Sequence, residues 1–148
     1  MQSSHQATAQ RFLAFIEQCH STGSDGTTQI DHVLVSRYGI FVIETKHYSG
    51  WIFGDQKSKR WTQVIYNQKS RFQNPLHQNY KHLKAVQAVL DFVSPGQISS
   101  VVVFTGNAEF MSERPEGVYS LEDLVAHLKG LQQMHLSENR MQFLCWPP

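Results

Sequence analysis

Three charged side chains in two neighbouring segments have the types and spacing needed for chemistry on a phosphodiester. Asp31 lies in the apolar run 29–35, and Glu44 and Lys46 lie two residues apart at the end of the run 39–46. Mg²⁺ prefers one or two carboxylates together with phosphate oxygens, and lysine is a common ligand of phosphate. The combination therefore favours metal-assisted hydrolysis of a phosphodiester.

A β-hairpin would bring these residues together. Both runs are rich in β-branched and aromatic residues, and Gly39 is suited to the positive φ that closes a short hairpin loop. If residues 37–38 form a two-residue tip, Asp31 lies opposite Glu44, whereas a three-residue loop makes the two diagonal neighbours. The period of two along a strand then places both carboxylates and Lys46 on one face.

Two carboxylates at the end of a buried strand repel each other unless a cation lies between them. We expect that cation to be Mg²⁺ or Mn²⁺, with the backbone carbonyl of Thr45 as a further ligand. The alternative is a simple Glu44–Lys46 ion pair on an exposed edge strand, with Asp31 only at the strand start. The apolar run 40–43 favours a central strand, where charged residues are rarely found without a function.

The rest of the chain supplies elements that can position this hairpin. Helical spacing of apolar residues alternates with β-branched runs, which is typical of an α/β fold with helices flanking a mixed sheet. The length of 148 residues fits a single domain. The predicted segments are helices at 6–19, 75–93 and 121–131, strands at 29–35, 39–46 and 98–104, a loop at 20–28, and an irregular excursion with one or two short strands at 48–67.

The net charge of +1 conceals a strongly basic middle segment. Residues 47–84 carry seven basic groups against Asp55 alone, so this segment is where a polyanion would bind. Its aromatic residues interleave with the basic ones, as in proteins that bind single strands. The alternative is that the tryptophans pack the segment and the lysines are solvated, and we expect structural tryptophans with some basic residues on phosphate. The candidate nucleic-acid contacts are Lys57, Lys59, Arg60, Lys69, Arg71 and Lys81.

Several classes of protein are excluded or disfavoured by composition. The longest apolar run, at residues 12–16, has five residues, whereas a membrane-spanning helix needs about 20. The first ten residues lack the basic start and apolar run of a secretory signal. Two distant cysteines make no disulfide framework. We therefore expect a cytoplasmic protein with no membrane partner.

The sequence resembles a known family at the same residues. The segments that carry the resemblance are QIDHVLV at 29–35, GIFVIETK at 39–46, Gly50, Trp61 and NPLHQN at 74–79. Together they are similar to the NERD (nuclease-related) domain, which is assigned to the PD-(D/E)XK, restriction-endonuclease-like nucleases. The resemblance runs from about residue 28 to 85, and more loosely to 128.

This resemblance implies a restriction-endonuclease-like fold, with a mixed central β-sheet flanked by α-helices, and a metal-dependent nuclease of DNA or, less favoured, RNA. It implies that Asp31 and Glu44 are metal ligands for Mg²⁺ or Mn²⁺ and that Lys46 is the catalytic lysine. Gln78, near the start of the long helix, matches a family glutamine expected to face the site. The alternative for Gln78 is an ordinary solvated position in the first helical turn.

The N-terminal part, residues 1–28, departs from the family pattern. The family normally opens with a helix bearing a Gly-Glu pair, followed by a strand before the first motif. No Gly-Glu pair precedes Asp31, and Glu17 is the sole upstream glutamate. Either Glu17 supplies a metal ligand or that ligand is missing. The alternatives are therefore a catalytically impaired module that binds nucleic acid, a protein-interaction module, or a homodimer whose second chain completes the site.

Overall fold

Two β-sheets and three α-helices make up the part of the chain that the structure, a computed structural model, describes. The backbone is described for residues 12–23 and 26–145, and the side chains for residues 32–141 and Leu144. The strands are β1 (Phe12–Gly23), β2 (Gly26–Ser36), β3 (Gly39–His47), β4 (Gly50–Phe53), β5 (Arg60–Ile65), β6 (Gln68–Gln73), β7 (Ile98–Thr105), β8 (Ala108–Phe110) and β9 (Val118–Ser120). The helices are α1 (Pro75–Val89), α2 (Leu121–Gly130) and α3 (Glu138–Cys145), and a short 3₁₀ helix spans Pro95–Gln97.

The larger sheet has five strands in the order β1-β2-β3-β7-β9. The first three strands run antiparallel, and β3, β7 and β9 run parallel to one another. Val33 and Val42 pack toward α1 on one face, while Phe41 and Ile43 pack toward α2 on the other. The mixed α/β architecture that the resemblance implied is confirmed, and β3 is a central strand buried on both faces.

The β2–β3 hairpin has a two-residue tip, the first of the two alternatives that the sequence left open. Ser36 pairs with Gly39, and the register continues to His32 opposite Ile43. Gly39 has φ +135°, and a Cβ atom at that position would lie 2.9 Å from the carbonyl oxygen of Gln97. Only glycine suits both the backbone angle and the close approach. The paired residues of this ladder end at His32 and Ile43, next to Asp31 and Glu44.

The second sheet has four strands in the order β6-β5-β4-β8 and packs one face on the larger sheet. Its inward residues Ile52 and Trp61 join Val102 and Phe104 of β7 in one apolar cluster. The rings of Trp61 and Phe104 stack with centroids 6.1 Å apart and planes 14° apart. The sheet therefore shares its core with the strand next to β3.

The segment before β2 differs from the prediction. Residues 12–19 were expected to be helical and 20–28 a loop, but β1 runs from Phe12 to Gly23 and β2 begins at Gly26. The rest of the predicted helix, residues 6–11, lies outside the described residues. Pairing with β1 satisfies the hydrogen-bonding groups along β2, which would otherwise be a long open edge. The strand that the family has before the first motif is thus present.

The predicted irregular excursion at 48–67 contributes the strands β4 and β5, and β6, which was not predicted, follows it directly. The strand β6 reads QKSRFQ and has a single apolar residue, Phe72. Its sequence therefore carries no strand period, and only its pairing with β5 makes it a strand.

The two helices predicted after β3, at 75–93 and 121–131, are confirmed apart from their ends. The helix α1 ends at Val89 rather than near residue 93, and β8, β9 and α3 were not predicted. Within the described ranges, no helix is long and apolar enough to cross a membrane.

Candidate active site

The end of β3 carries two charged residues after its apolar run. Glu44 is 2% exposed, and the side chain of Lys46 is 16% exposed. The Lys46 Nζ lies 2.9 Å from Oε1 of Glu44. An ion pair is therefore present, but it lies on a central strand and not on the exposed edge strand of the alternative interpretation.

The helix α1 supplies two further side chains to this pair. Gln78 and His82 are four residues apart, so they share one face of the helix. Gln78 accepts a hydrogen bond of 3.0 Å from Lys46 Nζ through its Oε1. The Nδ1 atom of His82 lies 3.4 Å from Oε2 of Glu44. Gln78 therefore faces Lys46 rather than solvent, and we call Glu44, Lys46, Gln78 and His82 the β3–α1 cluster.

The charge of Glu44 is stabilised despite its burial. Burial alone would raise the pKa of Glu44, but the proximity of His82 and the ion pair with Lys46 outweigh burial, so the pKa is lowered. The 3.4 Å contact with His82 lacks hydrogen-bond geometry, so among the described side chains Oε2 of Glu44 and Nδ1 of His82 have no hydrogen-bond partner. Glu44 is thus a buried anion whose Oε2 makes no hydrogen bond with the described residues.

Asn79 fixes α1 to the larger sheet next to the cluster. It is fully buried, and its Nδ2 lies 2.9 Å from the carbonyl oxygen of Val42 and 2.8 Å from Oγ of Ser100. A third acceptor, the carbonyl oxygen of Val101, lies at 3.2 Å. One side chain thereby ties the helix to both β3 and β7, which sets the height of Gln78 above Lys46.

Asn74 fixes the start of the same helix. Its Oδ1 accepts a hydrogen bond of 2.9 Å from the backbone N–H of Leu76 and caps the helix. Its Nδ2 donates to the carbonyl oxygen of Ser58 at 2.7 Å, and the carbonyl of Asp55 lies at 3.2 Å. The loop between β4 and β5, which carries two of the basic candidates, is thereby attached to the helix of the cluster.

The other predicted metal ligands lie on neighbouring strands. Asp31 is the β2 residue directly before His32, whose pair with Ile43 ends the β2–β3 ladder. Thr45 pairs with Val103 in the β3–β7 ladder. The backbone of Glu17 on β1 pairs with His32. The side chains of Asp31 and Glu17 lie outside the described residues, so both remain predicted ligands.

The described residues fit a divalent cation in their donor chemistry. The unpartnered Oε2 of buried Glu44 is a hard anionic oxygen of the kind that Mg²⁺ and Mn²⁺ prefer. Among the side chains that the structure describes, no group of three potential ligands surrounds this oxygen. A complete site therefore needs a second carboxylate from β2 or β1.

The six predicted nucleic-acid contacts are all exposed. They are not brought into the β3–α1 cluster but are distributed over one loop, two strands and α1. Lys57 and Lys59 lie in the β4–β5 loop, Arg60 begins β5, Lys69 and Arg71 lie on β6, and Lys81 lies on α1.

Sequence reasoning missed His82 and Asn79 and misjudged one tryptophan. The position of His82 four residues after Gln78 was a usable signal for a shared helix face. Asn79 gave no such signal, because its partners are backbone and side-chain atoms of distant strands. Trp61 is structural as expected, whereas Trp51 is 49% exposed and packs no core.

Comparisons with known proteins agree with the resemblance. The chain is 57% identical over 65 residues to an uncharacterized protein of Bacillus anthracis, a match that covers 44% of this chain and 31% of the relative. The chain thus spans about a third of that relative's length. No solved structure gives a significant match. The sequence model of the nuclease-related domain, whose description indicates a nuclease-related function, matches residues 9–105, which include β1 to β7 and the whole β3–α1 cluster. By this match over more than half of its length, the chain belongs to the nuclease-related domain (NERD) family.

Proposed function

We propose that this protein is a metal-dependent nuclease that hydrolyses phosphodiester bonds of DNA, with RNA as the second candidate. The observation that carries the proposal is the buried Glu44–Lys46 pair with Gln78 bound to the lysine. Burying two charges costs desolvation free energy that a simple apolar pair would avoid. A pair kept at the end of a central strand, in a nuclease-related family, is best explained by chemistry.

Glu44, Asp31 and the Thr45 carbonyl would hold the divalent cation, Mg²⁺ or Mn²⁺, and Glu17 is a further candidate ligand. Nuclease-related membership supports divalent-metal dependence in general. The bound cation would polarise the scissile phosphate and lower the pKa of the attacking water. The register supports Asp31 as the neighbour of Glu44. His32 pairs with Ile43, Asp31 directly precedes His32, and Glu44 directly follows Ile43.

Lys46 acts on the phosphate in this proposal. An ammonium group has three donors, and among the described side chains Glu44 and Gln78 engage two of them. The third donor is available for an oxygen of the scissile phosphate, where it would stabilise the negative charge that develops as water attacks. Gln78 is a positioning residue, because it acts through the orientation of Lys46.

The exposed basic residues would bind the nucleic-acid backbone without reading sequence. Lys57, Lys59 and Arg60 lie next to the loop that Asn74 attaches to α1, so this group is physically linked to the helix of the cluster. The cytoplasmic location and the homodimer remain predictions.

A second candidate function is nucleic-acid binding without cleavage. It is favoured by one observation, the ion pair of 2.9 Å that already neutralises Glu44. A cation at Glu44 must compete with Lys46 for that carboxylate, and without a second carboxylate it would bind weakly.

One cleavage assay separates these functions. Wild-type protein is incubated with single- and double-stranded DNA and RNA, in Mg²⁺, in Mn²⁺ and in EDTA. We expect cleavage that EDTA abolishes, and we expect Lys46→Ala to lower its rate by about 10²–10⁴-fold, the usual effect of losing a group that acts in the transition state.

Lys84→Ala is the matched control, since it removes an exposed lysine of α1 that contacts only the Tyr80 ring among the described interactions. It should cleave like wild type. Cleavage by Lys46→Ala at the wild-type rate would contradict the catalytic role of Lys46. Salt-dependent binding with no cleavage in either metal would favour the second candidate, and no binding at low salt would leave a protein-interaction module.

A further inference from the structure

The outward face of the four-stranded sheet carries exposed aromatic rings. Trp51 is 49% and Phe53 is 38% exposed, while Ile52 between them is fully buried. Alternation along β4 therefore turns both rings away from the core. Large rings exposed side by side on a sheet usually mark a binding surface.

The strand register arranges this face in two similar rows. Each row runs from an aromatic ring on β4, across a smaller side chain on β5, to a cation on β6. The rows are Trp51–Val64–Lys69 and Phe53–Thr62–Arg71.

The spacing of these rows suits a chain of nucleotides. Residues two apart on a strand lie about 7 Å from each other, and β4 lies about 10 Å from β6. Two successive bases could therefore stack on the two rings while their phosphates reach the two cations. This division of labour, stacking plus backbone charge, is how single strands are held without sequence preference.

The charges of this face are ordered from one edge to the other. Arg60, at the start of β5, adds a third cation to the two on β6. The acidic residue of the face is Glu109 of β8, which pairs with Trp51 on the side away from β6. A polyanionic backbone is thus attracted to the β6 side and repelled from the β8 side, which leaves the rings to the bases.

A recess lies at the end of the first row. It has a volume of about 440 Å³ and is lined by Ser49, Gly50, Trp51, Val64, Ile65 and Tyr66. Its apolar walls and open side suit a flat ring, so a third base could be accommodated beside Trp51.

We propose that this face, which we call the stacking face, binds single-stranded nucleic acid, with bases on Trp51 and Phe53 and phosphates on Lys69 and Arg71. In a duplex the bases are already stacked on each other, so the face selects unpaired segments. The inference rests on the proposed function, because it names single strands as the substrate class that the nuclease holds.

Binding is measured by fluorescence anisotropy of a labelled short oligothymidylate and of a labelled duplex, in EDTA and in the Lys46→Ala background, so that cleavage plays no part. We expect the single strand to bind more tightly than the duplex. Trp51→Ala should weaken single-strand binding by about 10-fold, and Trp51→Phe should restore most of it, because a ring suffices for stacking. Arg71→Ala should reduce the salt dependence by about one phosphate contact.

Phe92→Ala is the control, because it removes an aromatic residue that is also exposed but lies outside this sheet. It should bind like the parent protein. Circular dichroism of each variant verifies that the fold is kept. The inference is overturned if the Trp51→Ala, Phe53→Ala double variant binds oligothymidylate as tightly as its parent, or if it changes only the oligomeric state in sedimentation.

The result also distinguishes this inference from the proposed function. If wild type cleaves nucleic acid and the double variant binds as tightly as its parent, the proposed nuclease function is supported and the proposed role of the stacking face is contradicted. If single-strand binding depends on Trp51 but no metal supports cleavage, the role of the stacking face is supported and the nuclease function is contradicted.

Discussion

The two sheets of this protein use charged residues in opposite ways. The five-stranded sheet buries Glu44 and Lys46 at the end of β3 and pairs each with a partner on α1. The four-stranded sheet instead holds Lys69 and Arg71 in the open, beside exposed rings on one face. The first arrangement fixes the orientation of a few groups, and the second offers a broad charged surface with little fixed geometry.

This difference follows from the different free-energy costs of buried and exposed charges. A buried charge carries a large desolvation cost and persists only with fixed partners, so Lys46 is held by two short contacts, at 2.9 Å to Glu44 and 3.0 Å to Gln78. An exposed cation is screened by solvent and keeps its side-chain freedom, so it can follow a flexible polyanion. Chemistry at one phosphate requires the first kind of site, and holding a long strand requires the second.

The largest predicted effect is a difference in the free energy of unfolding between variants on the two faces of the four-stranded sheet. Trp61 is 1% exposed, so Trp61→Ala should lower the free energy of unfolding by about 3–5 kcal/mol, the usual cost of truncating a buried aromatic. Trp51→Ala should lower it by less than about 1 kcal/mol, as for other exposed residues. Urea denaturation followed by circular dichroism measures both. Similar losses for the two variants would contradict the assignment of one face to the core and the other to solvent.

An intermediate effect concerns the polar bonds that hold α1 over the cluster. Asn79→Ala leaves buried acceptors on β3 and β7 without the Asn79 amide, so we expect a loss of about 1–3 kcal/mol in the free energy of unfolding. Ser100→Ala, the matched control, removes only one of those acceptors and should cost about 1 kcal/mol or less. The cleavage rate of Asn79→Ala should fall as well, because the position of Gln78 depends on this anchor. An Asn79→Ala protein as stable as Ser100→Ala would show that α1 is held by apolar packing alone.

The smallest effect is the pH dependence of stability at Glu44. Its pKa in the folded protein is lowered from the ordinary value of 4.5, so its charge stabilises the fold above that value, and the contribution is lost as pH falls through the folded pKa. The stability advantage of wild type over Glu44→Gln should therefore shrink between about pH 6 and pH 3 in EDTA. Glu109→Gln, on the stacking face, is the control for loss of one negative charge. An advantage that stays constant over this range would contradict the lowered pKa.

Much of the site's local geometry could be predicted from sequence. The hairpin, the proximity of Asp31 and Glu44, and the central position of β3 follow from Gly39 and the apolar run 40–43, whereas the choice between a two-residue tip and a three-residue loop came from the structure. These signals are local, because a hairpin is set by its turn and its alternation. The match of Gln78 to a family motif was likewise readable, although its contact with Lys46 spans 32 positions of the chain.

Other features were beyond local reasoning. The segment 12–23 has helical spacing of apolar residues but pairs as a strand, because β2 presents an edge that must be satisfied. The strand β6 has almost no apolar residues and exists through its pairing with β5. The exposure of Trp51 and the burial of Trp61 depend on which face of that sheet meets β7.

The sequence by itself determined the chemical groups, the hairpin that places Glu44 and Lys46 on one strand, and the concentration of positive charge in residues 47–84. The tertiary structure alone decided that His82 and Gln78 close over that pair, that Asn79 anchors them, and that rings and cations share one open face. The physical reason is range: alternation and turn chemistry act over a few residues, whereas packing and sheet pairing join residues far apart in the chain.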